Sequence, residues 1–475
     1  MVAIRRDYSL TGEESRRAAD KGLVEAEWYR PALDADRLHE LMARTNARAA
    51  RDTTLWLALL AAAGIWAWFS LGSWWAVPAF VAYGTLYGSS ADPRWHEMGH
   101  GTAFRTGWLN DIVYYLASFM LLRGPTLWRW SHVRHHTDTI VVGRDPEIIF
   151  PRPVSRWTVI STFLGLRVVP PMVWQTVKHT TGRLDDDTRD FVPEDEQWKV
   201  VWEARAFIAI LVGVVVWCLT AGSIVPALYI GLPSLYGVWL LVFFGLTQHA
   251  GLQEDVLDHR LNTRTVHMNP IFRFLYSNMN YHVEHHIFPT VPYHSLPALH
   301  EEVKDQLAPA LPSSLAAYRE IFTALRRQAE DVSYELEDRG IPAGNGGTTR
   351  RPDVGAYIWA TTHDDGRVDL GPADLEVGQV RRLDVADRSF ALYRLAEDEY
   401  ALTDGVCTHG QAHLAEGLVI DCSIECPKHN GRFDIRTGEP QRRPVKIPLA
   451  TYDVEAVDGR IVSTLVARSG EEVAV

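Results

Sequence analysis

Two stretches of this chain, residues 53–91 and 206–248, contain no Asp, Glu, Lys, Arg or His. At about 1.5 Å per residue, a helix of either length spans roughly 60 Å, twice the ~30 Å hydrocarbon core of a bilayer. Each run therefore predicts a helical hairpin that crosses twice, over about 53–71 and 74–91 and again over about 204–221 and 224–248. A soluble core would break such runs with polar faces. Pro78 predicts a kink in the first return helix. The mean hydropathy of the chain is only −0.10, because its apolar residues are concentrated in these runs.

Arg44, Arg48 and Arg51 flank the first run and place that side in the cytoplasm. An even number of crossings returns the chain to its starting side. Trp108, Trp128 and Trp130 are expected at headgroup level, and an amphipathic helix near 157–178. The formal net charge of −12 gives nucleic-acid binding no electrostatic support.

Histidines gather where the apolar runs end. His96 and His100 stand at i and i+4, as do the outer members of two triples, His132/His135/His136 and His282/His285/His286. On helices, these spacings aim the imidazoles off one face. Eight imidazoles are too many for one tetrahedral zinc and suit two metals with open positions. His249, closing the second run, is either a ninth ligand or a buried, hydrogen-bonded histidine. Asp138, Asp145, Asn278 and Asn280 are candidate partners that fix imidazole tautomers; their other reading is capping and turn chemistry. His96-Glu97-x-x-His100 also matches the zinc-protease motif with Glu97 as general base, but hydrolysis needs no electrons and leaves the other histidines idle. Bis-histidine haem needs ligands within the spans, which contain none.

Residues 340–353 are rich in Gly and Pro and read as a linker. Beyond them, short runs such as Tyr357-Ile-Trp, Phe390-Ala-Leu-Tyr and Val454-Glu-Ala-Val predict a small β domain. It carries Cys407-Thr-His409 and Cys426-Pro-Lys-His429, with Gly410 and Gly431 beside the loops. Two cysteines and two histidines fit zinc or a Rieske [2Fe–2S] cluster; the β pattern and the glycines favour the cluster. Cys218 and Cys422 read as packing residues. The expected organisation is a lead over 1–50, a helical membrane domain with a cytosolic cap over 51–335, a linker over 336–354 and an all-β domain over 355–475.

The histidine text resembles the membrane fatty acid desaturase superfamily, which also includes hydroxylases and related oxygenases. The matches are His96-Glu-Met-Gly-His100, His132-Val-Arg-His-His-Thr-Asp with Asp145-Pro-Glu downstream, and Asn280-Tyr-His-Val-Glu-His-His-Ile-Phe-Pro289. The likeness covers about 35–325. It implies two non-haem irons held by the eight box histidines, with His249 at the position of the family's additional histidine. Cys426-Pro-Lys-His-Asn-Gly-Arg-Phe-Asp-Ile435 is similar to Rieske ferredoxins of bacterial oxygenase systems, over about 355–468. That likeness implies a cluster on Cys407, His409, Cys426 and His429. The motif lacks the extra cysteines of high-potential Rieske proteins, with Gln411 or a neighbour and Lys428 standing there instead.

Together these imply an integral protein of a bacterial-type inner or plasma membrane, with both metal sites cytoplasmic. The expected activity is O2-dependent desaturation or hydroxylation of a fatty acyl or other lipid-like substrate. Electrons come from NAD(P)H through a separate ferredoxin reductase and the fused Rieske domain. A related reading is oxidative demethylation or hydroxylation of a small polar molecule on the same scaffold. Two readings from other classes are an intramembrane zinc protease and a membrane-tethered electron carrier.

Overall fold

A computed structural model describes residues 6–24, 28–336, 339–342, 361–362, 367–385, 388–410 and 412–468. Most of the expected linker, the strand expected at Tyr357-Ile-Trp, and Gln411 lie outside these residues. The chain divides into two compact units. The first takes Met1–Tyr29, Arg44–Ile287 and Pro292–Ala343; the second takes Arg30–Ala43, Phe288–Val291 and Gly344–Val475.

The first unit is helical. Its two longest helices, Asn46–Phe69 and Gln197–Ala221, lie in the two apolar runs. Thr45 caps the first by accepting the Ala47 N–H, and Gly222 ends the second in the left-handed conformation, φ +58°. Among the described residues, two helical stretches, Asp36–Phe69 and Glu194–Ala221, are long and apolar enough to cross a membrane. The return legs are built from shorter pieces. One runs Ala76–Gly84, a π-helical turn Thr85–Ser89, then Ala91–His100; the other runs Val225–Tyr229, Pro233–Tyr236 and Trp239–His249. Close approach explains the breaks: a Cβ on Gly237 would lie 1.9 Å from the Gly84 carbonyl oxygen, and one on Gly88 2.6 Å from that of Pro233. Pro78 sits in the first turn of its helix, where there is no intrahelical bond to lose, and the irregularity falls at the π-turn instead.

Other sequence expectations change: the amphipathic helix expected near 157–178 is two helices, Arg156–Phe163 and Val169–Thr180. Of the three tryptophans expected at headgroup level, only Trp108 is exposed; Trp130 is buried and donates to Glu196 at 3.1 Å, and Trp128 lies edge-on to Trp95. Residues of the 1–50 segment contribute to both units. Arg6 pairs with Glu14 (2.7 Å) and Glu254 (3.0 Å), and the Tyr8 hydroxyl donates to Glu254 at 2.9 Å. Residues 30–43 belong to the second unit, where His39 Nε2 donates to the Gly417 carbonyl at 2.9 Å and Arg30 pairs with Glu416.

The second unit contains three four-stranded antiparallel sheets among the described residues. The central one orders its strands Thr451–Tyr452, Glu399–Asp404, Arg388–Ala396, Val380–Val385. Strand Arg388–Ala396 is buried on both faces. Phe390 and Leu392 enter one core with Val368 and Leu402, whereas Ala391 and Tyr393 enter the other with Ile424 and Phe433. Leu392→Ala should therefore cost about 2–5 kcal/mol, read as a lower melting temperature of the β unit.

Candidate metal centre

Four helical pieces of the first unit carry nine histidines. Ala91–His100 presents His96 and His100 and stops at Gly101, φ +68°. Pro125–Thr137 begins on a proline, fixed for a first turn, and carries His132, then His135 and His136 in its last turn. His249 is the final residue of Trp239–His249, and His282–Ile287 holds the third triple. The rings gather in two groups, each with ring nitrogens within 4.8 Å of one another. One is His96, His100, His132, His136 and His285; the other is His135, His249, His282 and His286. Each triple divides between the groups. Residues i and i+4 stand only about 40° apart around a helix, so they face one group, while i+3 falls on the far side of i and faces the other.

The nitrogen spacing is that of shared metals rather than of hydrogen bonds. In the first group, His132 Nε2 lies 3.2 Å from Nε2 of each of His96, His100 and His136, and His96 and His285 bring theirs to 2.7 Å. One N–H can serve only one partner, so a nitrogen with three such neighbours is not accounted for by hydrogen bonding. Nitrogens roughly 2.0–2.1 Å from a common ion stand about 3 Å apart. In the second group the His282 and His286 Nε2 atoms are 3.1 Å apart, and the buried His249 Nε2 has no hydrogen-bond partner. Burial and mutual repulsion hold His96, His136, His249, His282, His285 and His286 well below the usual imidazole range. They are thus neutral, which is the form that ligates.

Partners on the outer nitrogens fix which nitrogen faces inward. His135 Nδ1 donates to Asp145 at 2.8 Å. Burial works against its charged form, but Asp145 prevails and His135 is pushed up to about 9. Asp145 is itself held by the Ile140 and Glu147 N–H groups, both at 2.8 Å. His132 Nδ1 is 3.2 Å from Glu147, His249 Nδ1 donates to the Asn262 carbonyl at 2.8 Å, and Thr139 lies 3.3 Å from His286 Nδ1. Of the four partners expected from the sequence, only Asp145 stands on a box histidine. Asp138 is taken by Arg144 and Arg134, Asn278 by Arg273 and the Tyr293 carbonyl, and Asn280 by the Val266 carbonyl. Glu147 stands in the Asp145-Pro-Glu match but was not among the expected partners, and the Asn262 contact is backbone and leaves no side-chain signal. Two histidines outside the boxes also pack against the centre. Buried His300 pairs with Glu284, anchoring the third triple, and buried His259 lies beside His286, ring centroids 5.0 Å apart.

Glu97 turns away from the rings. One of its oxygens accepts the Thr102 hydroxyl (2.6 Å) and the Tyr293 N–H (3.2 Å), and it lines a cavity of about 220 Å³ with Arg94 and Arg273. A protease base would face the metal-bound water, so this placement speaks against the hydrolytic reading.

In the second unit, Cys426 and His429 lie in the turn between strands Ser423–Glu425 and Arg432–Asp434, opposite Cys407 and His409. The His409 and His429 Nδ1 atoms are 3.1 Å apart, and both cysteines are buried. The glycines permit this closeness. A Cβ on Gly410 would fall 2.9 Å from the His429 ring, and one on Gly431 2.5 Å from Val445 Cγ1.

The fatty acid desaturase family model matches residues 72–318, just over half of the 475-residue chain. This chain belongs to the fatty acid desaturase family. Residues 368–453 match the Rieske [2Fe–2S] domain. That part is 39% identical over 90 residues to ferredoxin CarAc of Metapseudomonas resinovorans, covering 19% of this chain and 83% of that one. It is 38% identical over 93 residues to the ferredoxin component of the naphthalene 1,2-dioxygenase system of Pseudomonas putida, covering 20% and 88%. Among solved structures, the complex of reduced oxygenase and oxidized ferredoxin in carbazole 1,9a-dioxygenase includes a chain 35% identical, covering 20% of this chain and 96% of that one, with TM-score 0.19. A desaturase-family domain joined to a Rieske domain makes this protein an oxidoreductase, with a di-iron centre and a [2Fe–2S] cluster as its cofactors.

Asp145→Asn should weaken iron retention about 10–100-fold against a chelator, whereas Asp138→Asn, on arginines only, should keep it. Metal analysis of the folded protein reads both. Gly410→Ala should abolish the visible absorbance of the Rieske cluster and leave the iron of the helical unit in place.

Proposed function

We propose that this desaturase-family protein is a membrane-bound, O2-dependent di-iron desaturase or hydroxylase of a fatty acyl or similarly apolar chain, with its own Rieske domain as immediate electron donor. The observation that carries the reading is the division of nine imidazoles into two groups with inward nitrogens 2.7–3.2 Å apart. His96, His100, His132, His136 and His285 would hold one iron, and His135, His249, His282 and His286 the other. Cys407, His409, Cys426 and His429 would hold the cluster. When bound, the iron pair supplies O2 activation and cleavage of an unactivated C–H bond.

The residues of the chain supply the rest. Asp145, Glu147 and the Asn262 carbonyl hold the outer nitrogens of His135, His132 and His249, so the inner ones stay free for metal. Burial of the rings excludes water from the reacting centre. Each O2 reduced in this chemistry consumes two electrons beyond those of the C–H bond, and a [2Fe–2S] centre carries one, so the Rieske domain serves twice per turnover. A separate ferredoxin reductase would reload it from NAD(P)H. Tethering the donor replaces a bimolecular encounter with a high effective concentration.

Exposure supports the bilayer reading. Only 22% and 17% of the apolar windows of the two candidate spans are buried, and Trp66, Trp68, Phe69, Trp74 and Trp217 face outward. A soluble core helix would hide such a surface. The four-crossing topology, the cytoplasmic placement of both sites and the division at 336–354 belong to the same proposal.

Full-length protein should carry about four irons, two in each unit. His285→Ala should lose the di-iron share and all product while keeping the Rieske spectrum; His409→Ala should keep about two irons and lose NAD(P)H-driven turnover. Product analysis of expressing cells against His285→Ala reads the chemistry: new double bonds or alcohols on acyl chains support the reading, and a demethylated small molecule replaces the substrate class. One zinc and no helical-unit iron contradicts it.

A further inference from the structure

The cavity of about 220 Å³ beside Glu97 has no part in the chemistry described so far. Its walls all belong to the helical unit: the start of helix Asn46–Phe69, helix Ala91–His100, helix Pro270–Leu275 with the turn after it, and Tyr293. Three guanidiniums line it, those of Arg51, Arg94 and Arg273, with two carboxylates, Asp52 and Glu97.

The carboxylates do not pair with Arg94 or Arg273. One Asp52 oxygen accepts from Arg51 Nε and the other from the Tyr293 hydroxyl, both at 2.8 Å. Glu97 is only 1% exposed and is held by Thr102 and the Tyr293 N–H. Arg94 is buried, yet it donates only to neutral oxygens: the Ser90 carbonyl and hydroxyl at 2.8 Å, the Leu275 carbonyl at 3.1 Å and the Phe274 carbonyl at 3.2 Å. Arg273 gives Nε to the Asn278 side-chain oxygen at 3.0 Å and lies over the Tyr281 ring. Among the described residues neither arginine forms an ion pair. A buried cation is costly without a counter-charge, so the cavity has the chemistry of an anion site. Three cations against two carboxylates leave one positive charge, which one phosphodiester balances.

The position of the cavity says what carries that anion. Arg51 is the last basic residue before the charge-free run that begins at Thr53. Arg51, Leu55 and Leu59 stand at i, i+4 and i+8 of helix Asn46–Phe69 and are all exposed, so they form one outward ridge. A guanidinium at the head of an apolar ridge suits a ligand with an anionic head and hydrocarbon tails, whereas a free anion would leave the ridge bare. We infer that this cavity holds the phosphate of a membrane phospholipid, bound by Arg51, Arg94 and Arg273, with its acyl chains along Leu55 and Leu59. The guanidinium N–H groups donate to the phosphate oxygens in charge-assisted hydrogen bonds. The inference rests on the membrane reading given above.

The test uses full-length, iron-loaded protein, freed of lipid in a neutral maltoside detergent, with binding read by native mass spectrometry. Dioctanoylphosphatidylglycerol, dioctanoylglycerol and inorganic phosphate are titrated separately. The phospholipid should bind one per chain. The diacylglycerol, which lacks the phosphate, and inorganic phosphate, which lacks the tails, should each bind at least about tenfold more weakly. Arg273→Gln and Arg51→Gln should each weaken the phospholipid about tenfold, the loss of one charge-assisted hydrogen bond, with iron content and melting temperature unchanged. Where Arg273→Gln lowers the melting temperature, the exposed Arg51→Gln decides. Arg48→Gln, an exposed arginine of the same flank outside the cavity, should bind as wild type does. Wild-type binding by Arg51→Gln and Arg273→Gln overturns the site, as does equal weakening by Arg48→Gln, which would make the attraction one of general surface charge. Diacylglycerol binding as tightly as the phospholipid overturns the phosphate, and inorganic phosphate binding as tightly overturns the lipid. A full chain that stays monodisperse without detergent contradicts the membrane reading itself, whereas loss of the arginine dependence in detergent-bound protein contradicts the site alone.

Discussion

Nine imidazoles packed together inside a protein have a physical problem that the rest of this structure answers. Burial beside the others disfavours a charged ring, and six of them are driven well below the usual imidazole range by burial and mutual repulsion, while Asp145 holds His135 up. Neutral rings then need partners for two nitrogens each. His135, His132 and His249 find one for Nδ1 on Asp145, Glu147 and the Asn262 carbonyl, but Nδ1 of His136, His282 and His285 has none. An unpartnered buried polar atom costs about 1–3 kcal/mol. Pairing the inward nitrogens with one another would still leave most of them without a donor. A metal ion accepts several lone pairs at once, and binding it turns that strain into affinity.

The fold serves this constraint. The apolar runs contain no charged group, and histidines stand at their ends. Helix geometry then sends i and i+4 of each triple to one group and i+3 to the other, so two short sequences furnish ligands for two ions. Glycines at 84, 88 and 237 let the broken return legs touch, and the buried Glu284–His300 pair anchors the third triple. In the β unit the same principle recurs at smaller scale, where Gly410 and Gly431 make room for the cluster loops.

Much of this was legible in the sequence, because it is written in short-range spacing. The histidine triples, the Cys-x-His and Cys-x-x-His pairs and the charge-free runs all depend on residues a few positions apart. His249 could be placed with them because it closes an apolar run. What escaped depends on contacts across long separations. Glu147 lies fifteen positions from the histidine it touches. The Asn262 carbonyl has no side chain to read. Asn278 and Asn280 flank a triple in sequence yet turn to Arg273 and the Val266 carbonyl, so nearness along the chain misled. Pro226, Gly231, Pro233 and Gly237 punctuate the second return leg, but the apolar composition hid the breaks. Trp130 resembled an interfacial residue until Glu196, sixty-six positions on, proved to be its partner.

Everything above depends on the two histidine groups holding two irons. Anomalous scattering measured at the iron edge from crystals of the full chain tests it most directly. It predicts two peaks in the helical unit, one among His96, His100, His132, His136 and His285 and one among His135, His249, His282 and His286, apart from the signal of the Rieske cluster. A single peak at the zinc edge on His96 and His100, or iron signal confined to the β unit, would contradict it.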